Sequence, residues 1–349
     1  MTESEYHAYP AWSHSLIYKY IKNGFSAIAT MHDPVKPTDS MEFGSMFDCM
    51  VTKGRKAFEA EYVVMDRVPA PAEKVVLDQM AKCGLKMEDI GDDTLLSFAN
   101  GSGYRMDLKK DETKIKKLRA ESDYYNAKIS GKSIVSSKDY SDGLEMIKAL
   151  RDNELTSSIF GHGNKDGVEF LYQAQFLVTV DLDGEKADYK IMPDLLIIDH
   201  NSRTIQPVDL KTSANPAYGF KENFIKFRYD IQAHSYSDVI VMVKKDTEEK
   251  DYEILDYLFV DISRTDKVPV VFSYPQTRMT SLEFVGRNGL VRYKDWRTLL
   301  GEMVRYEKSG AKVPEFITLD KPNDIISLIE CRPNDEEDDN DLPFDTFDE

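Results

Sequence analysis

The sequence predicts an α/β fold, and two patterns indicate it. Residues 1–160 mostly show the apolar spacing of helices. Residues 165–275 contain runs rich in Val, Ile and aromatic residues, which are typical of strands. One further helix pattern lies between these runs, and another follows the last of them. The chain has 349 residues and 41% hydrophobic content. That is enough for one large domain with appendages or for two small domains.

The helices of the N-terminal half are predicted from capping residues and apolar spacing. A Ser start and an apolar face that ends at Gly24 predict a helix over Ser13–Asn23. Further helices are expected over Ser40–Val51, over Lys74–Gly84, from Arg105 to about Lys128, and over Lys138–Asn153 with Ser137 as N-cap. The stretch Arg105–Arg119 carries seven Lys or Arg residues. It is either a solvated helix face or a helix that contacts phosphate groups.

The strand patterns centre on a predicted β-hairpin. After the loop Gly161–Gly167, Val168–Asp181 should form one strand, and apolar runs at 191–198 and 204–210 then flank a polar turn. If the two-residue turn is Asn201-Ser202, cross-strand partners have numbers that sum to 403, and Asp194 lies opposite Asp209. The remaining elements are expected to be a helix over Phe220–Val243, strands over Ile254–Ile262 and Val268–Tyr274, and a closing helix over Gly289–Lys308.

The two opposed aspartates of the hairpin point to a metal site. Directly opposed side chains have Cβ atoms roughly 5 Å apart, and two carboxylates at that distance repel unless a proton or a cation lies between them. Alternation along the strand places Lys211 on the face of Asp209 and turns Leu210 the other way. A buried structural ion-pair triad is the alternative interpretation.

These residues resemble a known family. Pro193-Asp194 followed by Asp209-Leu210-Lys211 resembles the PD-(D/E)xK signature of a nuclease superfamily, and Gln232 with Tyr236 resembles the Q-x-x-x-Y helix motif of its RecE, RecB and lambda-exonuclease branch. Gly44 to Asp48 resembles the G-x-x-x-H element of an early helix, with Asp where His is common. Alternatively, Asp48 is a solvated helix acid, and Gln232 and Tyr236 pack on a helix face.

The resemblance implies a restriction-endonuclease-like core, a mixed β-sheet flanked by helices, in one domain over residues 1–320. A helical part (1–160) would precede a catalytic core (165–310). It also implies a DNA exonuclease of phage recombination or repair that acts on linear double-stranded DNA with Mg²⁺ or Mn²⁺, and a possible homo-oligomer. The expected metal ligands are Asp48, Asp194, Asp209 and the Leu210 carbonyl, and the expected catalytic residues are Asp194, Asp209, Lys211, Gln232 and Tyr236. We expect DNA contacts from Lys226, Arg228 and Tyr229.

One departure from the family keeps other functions open. Related nucleases supply a Glu from the strand before the hairpin, and here Gln173, Gln175 or Glu169 would have to replace it. An amide is a weaker Mg²⁺ ligand than a carboxylate. A DNA-binding or assembly subunit with weakened catalysis is therefore a second hypothesis, and a DNA endonuclease is a third.

Charge argues against a nucleic-acid binder, but the acids are unevenly placed. The formal net charge is −17, and residues Asp335–Glu349 hold nine acids and no base. Residues 334–349 are expected to be a disordered acidic tail. Within it, the segment Asp338 to Phe344 resembles the acidic tip of bacterial single-strand-binding proteins. It is a solubilising tail, a peptide for a recombination partner, or an autoinhibitory DNA mimic.

Cysteine usage and hydropathy indicate the compartment. Cys49, Cys83 and Cys331 are far apart and form no CxxC pair, which favours a reducing environment and argues against a zinc or iron–sulfur site. No apolar run approaches the ~20 residues needed to cross a bilayer, and the N-terminus lacks a signal pattern. We expect a cytoplasmic protein with no membrane contact, in a bacterial host if phage-encoded.

Overall fold

The structure is a computed structural model, which describes residues 1–31, 37–104, 110–160, 166–276, 283–286 and 289–309. Met1–Arg305 form one compact unit. A second unit covers Tyr306–Glu349, of which only residues 306–309 are described, as the end of a helix. The expected acidic tail therefore lies outside the described residues, and a single domain over 1–320 stays a prediction.

The described helices occupy most of the first 160 residues and flank the later strands. They are α1 Glu3–Ala8, α2 His14–Asn23, α3 Ser26–Ala29, α4 Asp39–Asp48, α5 Gly54–Glu61, α6 Pro71–Met80, α7 Asp92–Gly101, α8 Asp111–Arg119, α9 Ser122–Ile129, α10 Ser137–Asp152, α11 Glu154–Ile159, α12 Phe220–Lys226, α13 Tyr229–Lys244 and α14 Trp296–Ser309. A π-helix over Cys49–Lys53 continues α4, and short 3-10 turns cover Ala81–Cys83, Met87–Asp89 and Ala217–Gly219.

The strands are β1 Tyr62–Met65, β2 Ser133–Ser136, β3 Val168–Tyr172, β4 Phe176–Leu182, β5 Glu185–Ile191, β6 Leu195–Asp199, β7 Thr204–Ser213, β8 Glu253–Ile254, β9 Tyr257–Ser263, β10 Pro269–Tyr274, β11 Glu283–Gly286 and β12 Gly289–Arg292. The main sheet has the order β10-β9-β7-β6-β3, and β8 also pairs with β7. Because β7 runs parallel to β9 and antiparallel to β6, the sheet is mixed. The predicted α/β class, with a mixed sheet and flanking helices, is confirmed.

The hairpin register agrees with the sequence. Leu195 pairs with Val208 and Asp199 with Thr204, so partners sum to 403 as expected. The loop, however, is four residues long rather than two. The Asp199 carboxylate accepts hydrogen bonds from the backbone N–H groups of Asn201 and Ser202, at 2.8 and 3.2 Å, and thereby forms an Asx turn. The predicted two-residue turn and the observed four-residue loop are both centred between residues 201 and 202, so the strand register is the same.

The central strand β7 presents its two faces to different helices. Val208 and Leu210 belong to an apolar core with Met46 and Phe47 of α4. On β9, Tyr257 and Phe259 pack instead with residues of α12 and α13. Asp209, which is the register partner of Phe259, shares this second face. The expectation that Leu210 turns away from Asp209 is therefore confirmed.

Several predicted elements are interrupted, and the interruptions are held by tertiary contacts. The single strand expected over Val168–Asp181 is split at Gln173, which has φ of 49°, and β4 leaves the main sheet to pair with β5. The helix expected over Phe220–Val243 is split at Arg228, which is left-handed with φ 54° and ψ 47°. The strand expected over Ile254–Ile262 likewise divides into β8 and β9.

Other boundaries also differ from the predictions. Residues 105–109 of the helix expected from Arg105 to about Lys128 lie outside the described residues. The described remainder forms two helices, α8 and α9, which break before a buried Glu121 that lies 3.0 Å from Arg67. The N-cap of α10 is Ser136, not Ser137, and its hydroxyl accepts from the Asp139 N–H at 3.0 Å. Residues 289–292 are a strand, so the closing helix begins only at Trp296. In the part of the chain that the structure describes, no helix has the length and apolar character to cross a membrane.

Candidate functional site

Asp194 and Asp209 converge where β6 and β7 part. Asp194 lies directly before β6, one position beyond the last paired residue, and Asp209 lies inside β7 with 2% exposure. Asp194 Oδ2 accepts a hydrogen bond of 2.7 Å from the backbone N–H of Leu210. The carboxyl of Asp194 is thus fixed against the strand that carries Asp209.

Lys211 and Gln232 both contact Asp209. Lys211 Nζ lies 2.6 Å from Asp209 Oδ2 and 4.7 Å from the centre of the Tyr229 ring. The side-chain amide of Gln232, from α13, donates a hydrogen bond to Asp209 Oδ1. Asp194, Asp209, Lys211 and Gln232 thus form one cluster. Lys211 keeps 22% of its side chain exposed, so the cluster opens to solvent at this residue.

The electrostatics show that the negative charges of the cluster are poorly neutralised. Burial, together with the negative charges of Asp209 and Asp48, raises the pKa of Asp194 well above its ordinary value. Burial also raises the pKa of Asp209, although Lys211 and the Gln232 amide oppose this. For Lys211, burial disfavours the ammonium, but the nearby acids outweigh it and the pKa is raised. A further positive charge would therefore be stabilised at the two aspartates.

Asp48 joins the cluster through Gln173. The amide of Gln173 donates to Asp48 Oδ2, and its backbone N–H donates to the Asp194 carbonyl at 3.1 Å. Of the three candidates for the strand Glu, Gln173 is therefore the one that touches the cluster. Glu169 lies near the hairpin loop, 3.4 Å from His200, whereas Gln175 lines a small cavity beside Tyr9 and Lys190.

Gly44 and Tyr236 occupy the surroundings of the cluster. A Cβ on Gly44 would lie 3.6 Å from Thr212 Oγ1, an ordinary contact, so α4 runs against β7 without needing glycine there. Tyr236 lies on α13, one turn after Gln232. Burial raises its pKa well above the ordinary value, and the charges of Asp209 and Asp194 contribute to the shift. Its ring packs at 6.4 Å from Tyr257 in a T-shaped pair.

Sequence reasoning did not single out His14 or Asp261. His14 begins α2, and its Nε2 lies 3.4 Å from the Arg228 carbonyl. Burial lowers the pKa of His14 to about 3, and the positive charge of Lys211 adds to the shift. Asp261 is buried on β9 as the register partner of Lys211. Neither residue belongs to a spaced motif, so only the pairing of strands and helices could identify them.

The donor set fits a divalent cation. Within the described ranges, no three His, Cys, Asp or Glu side chains converge as a ready ligand group. Asp194 and Asp209 nevertheless supply hard oxygen donors with excess negative charge, and Asp48 adds to it. Mg²⁺ commonly uses one or two carboxylates and keeps several waters. Two aspartates with Asp48 close by therefore suffice, provided that Lys211 leaves Asp209 Oδ2.

The three expected DNA contacts differ in their surroundings. Lys226 is exposed at the end of α12, with its Nζ 5.3 Å from the Phe227 ring centre. Tyr229 is half-buried beneath Lys211 and stacks on Phe220 at 5.8 Å. Arg228, however, is 4% exposed, bridges both carboxylate oxygens of Asp230 at 2.8 and 2.9 Å, and donates to the Lys294 carbonyl. We therefore withdraw Arg228 from the expected DNA contacts.

Two other candidate regions are separate from the cluster. In the basic stretch 105–119, residues 105–109 lie outside the described part, Lys114 is buried beside Asn100, and Arg119 binds the carbonyls of Met87 and Ile90. These two bases are occupied within the protein. A cavity of about 790 Å³ lies between α4 and β2, and its lining includes Glu42, Ser133 and Arg264 but none of the cluster residues.

Comparisons with known proteins add little. No family model matches the chain, and no curated protein matches it. One matching solved structure is described as "Crystal structure of SSO0001", with 15% sequence identity and a TM-score of 0.27, over 57% of this chain and 72% of that chain. Similarity at this level supports no argument about function.

Proposed function

We propose that this chain is a divalent-metal-dependent deoxyribonuclease that acts as an exonuclease on linear double-stranded DNA. The main support is the pair of carboxylates from β6 and β7, Asp194 and Asp209, with the Lys211 ammonium 2.6 Å from one of them. Such a group is costly to bury and is seldom a source of stability. Perturbed acids beside a solvent-open ammonium are typical of functional sites.

Asp194, Asp209 and the Leu210 carbonyl would hold Mg²⁺ or Mn²⁺, with Asp48 as a further carboxylate. The Leu210 N–H fixes Asp194, and the Gln232 amide fixes Asp209, so both carboxylates keep their orientation. The bound cation would lower the pKa of a water molecule and neutralise charge on the scissile phosphate.

The remaining residues would act on the substrate. The Lys211 ammonium would offset the charge that develops on the phosphate oxygens, because its raised pKa keeps it protonated. Tyr236 would brace a phosphate or stack on a base, one turn along α13 from Gln232. Tyr229, which lies beneath Lys211, and the exposed Lys226 would contact the DNA backbone.

An end-labelled linear duplex tests the proposal. We expect Mg²⁺-dependent release of nucleotides by the wild-type protein, and a loss of at least about 100-fold in Asp209→Ala and Lys211→Ala. The matched control Lys186→Met removes an exposed lysine of β5 and should retain full activity. Absence of metal-dependent release, or equal activity of the Asp209 variant, would reject the enzyme assignment.

A second candidate is a DNA-binding subunit with weakened catalysis. The residue that contacts Asp48 is an amide, Gln173, and not a Glu, and this observation favours the alternative. Metal-independent DNA binding without cleavage would support it. Cutting of closed circular DNA would instead identify an endonuclease.

A further inference from the structure

Asp261 is a buried acid that few donors satisfy. It lies in β9 with 1% exposure, and its Oδ1 has no hydrogen-bond partner among the described residues. Its Oδ2 lies 3.2 Å from Ser213 Oγ. That hydroxyl also lies 2.8 Å from the Asn215 carbonyl, and its single hydrogen can serve only one of the two acceptors. Burying a carboxylate with an unsatisfied oxygen costs free energy of folding unless another donor reaches it.

The donor within reach is Lys211. In the parallel β7–β9 pair, Lys211 is the register partner of Asp261, and registered residues point to the same side of a sheet. Neighbouring strands are about 4.8 Å apart, a distance that a four-carbon lysine stem easily spans. Burial raises the pKa of Asp261 to about 6, and the positive charge of Lys211 opposes this shift. The two groups therefore interact across the strands.

Lys211 cannot keep its present contact when Asp209 binds a cation. Its Nζ occupies the side of Asp209 Oδ2 at 2.6 Å, and two positive charges at one oxygen repel. The ammonium must move to another acceptor that is already on the same face. The side chain of Asp261 lies on the next strand and on that face, and among the described residues no donor reaches its Oδ1.

We propose that Asp261 is a positioning residue that receives the Lys211 ammonium when Asp209 takes up the divalent cation. This inference rests on the proposed metal site. Lys211 then alternates between two carboxylates on adjacent strands, and the Tyr229 ring supports its ammonium at 4.7 Å in the present position. Asp261 thereby favours cation binding without contacting the cation.

A double-mutant cycle on cation affinity tests this without any catalytic readout. Calorimetric titration of Ca²⁺ and Mn²⁺ compares wild type, Asp261→Asn, Lys211→Met and the double variant. We expect Asp261→Asn to weaken binding about five- to tenfold, because Lys211 then stays on Asp209. In the Lys211→Met background the same change should have no effect. Asp183→Asn, which removes a charge from the exposed turn between β4 and β5, is the matched control.

Two results would overturn the inference while leaving the metal site intact. One is wild-type affinity in Asp261→Asn, and the other is an equal loss in both lysine backgrounds, which would mean that Asp261 acts independently of Lys211. If the wild-type protein binds neither ion, the metal site and the inference are both rejected. Melting temperatures of all four proteins check that affinity changes do not come from misfolding.

Discussion

Replacing Asp194 by Asn should stabilise the metal-free protein. The substitution keeps an oxygen for the Leu210 N–H and removes one of two facing charges. At about 5 Å and an effective dielectric constant of about 20, two such charges repel by roughly 3 kcal/mol. Because Lys211 offsets part of this, we expect a net gain of about 1–2 kcal/mol, or a Tm increase of about 2–4 °C.

Thermal unfolding with and without Mg²⁺ measures this gain. In excess EDTA, Asp194→Asn should melt above wild type, and Mg²⁺ should raise the Tm of wild type only. Asp183→Asn, in the exposed β4–β5 turn, removes the same charge outside the cluster and should behave as wild type. A loss of more than about 1 kcal/mol in metal-free Asp194→Asn would refute the reasoning, because Asp194 would then be part of a stabilising ion-pair network.

The pH dependence has a definite sign. Burial and the neighbouring acids raise the pKa of Asp194 in the folded protein, so the native state holds this proton where the unfolded chain has released it. The ionised Asp194 carboxylate therefore destabilises the folded protein above its folded-state pKa. This destabilisation disappears as the pH falls toward the pKa of Asp in the unfolded chain, about 3.9. Stability of the metal-free wild type should decline as the pH rises through this window, and the decline should be shallower in Asp194→Asn.

Further predictions concern Gln173 and Arg228. Gln173→Glu should tighten Mn²⁺ binding about five- to tenfold by calorimetry, since it adds a carboxylate beside Asp48, whereas the control Gln175→Glu should not. Arg228→Ala should cost about 3–5 kcal/mol in chemical unfolding, because it leaves the buried Asp230 without its bidentate partner. Lys226→Ala should leave stability unchanged and reduce the slope of log DNA affinity against log salt concentration by about 1. A stable Arg228→Ala with a reduced slope, together with an unstable Lys226→Ala, would contradict the roles assigned to these two residues.

The sequence predicted the hairpin well because its determinants are local. Strand alternation and a polar turn centred between Asn201 and Ser202 fix the register, and the register brings Asp209 and Lys211 to one face. None of these features requires knowledge of distant parts of the chain.

The interruptions could not be predicted because their causes are distant. Gln173 is turned by its contacts to Asp48 and Asp194, and the Arg228 guanidinium is held by the Lys294 carbonyl, 66 residues along the chain. Neither residue is Gly, so composition gives no signal of a left-handed backbone. Asp261 was missed for a related reason: a single acid in an apolar strand acquires meaning only when β9 pairs with β7.

These two left-handed residues also explain how the cluster is held in place. A non-glycine residue in this conformation costs of order 1–2 kcal/mol and persists where surrounding contacts compensate for it. The turn at Gln173 carries the amide that links Asp48 to the backbone of Asp194, and the turn at Arg228 immediately precedes the Tyr229 ring beneath Lys211. Both departures from regular structure thus occur where they orient charged groups of the cluster. Such placement is expected of a preorganised site.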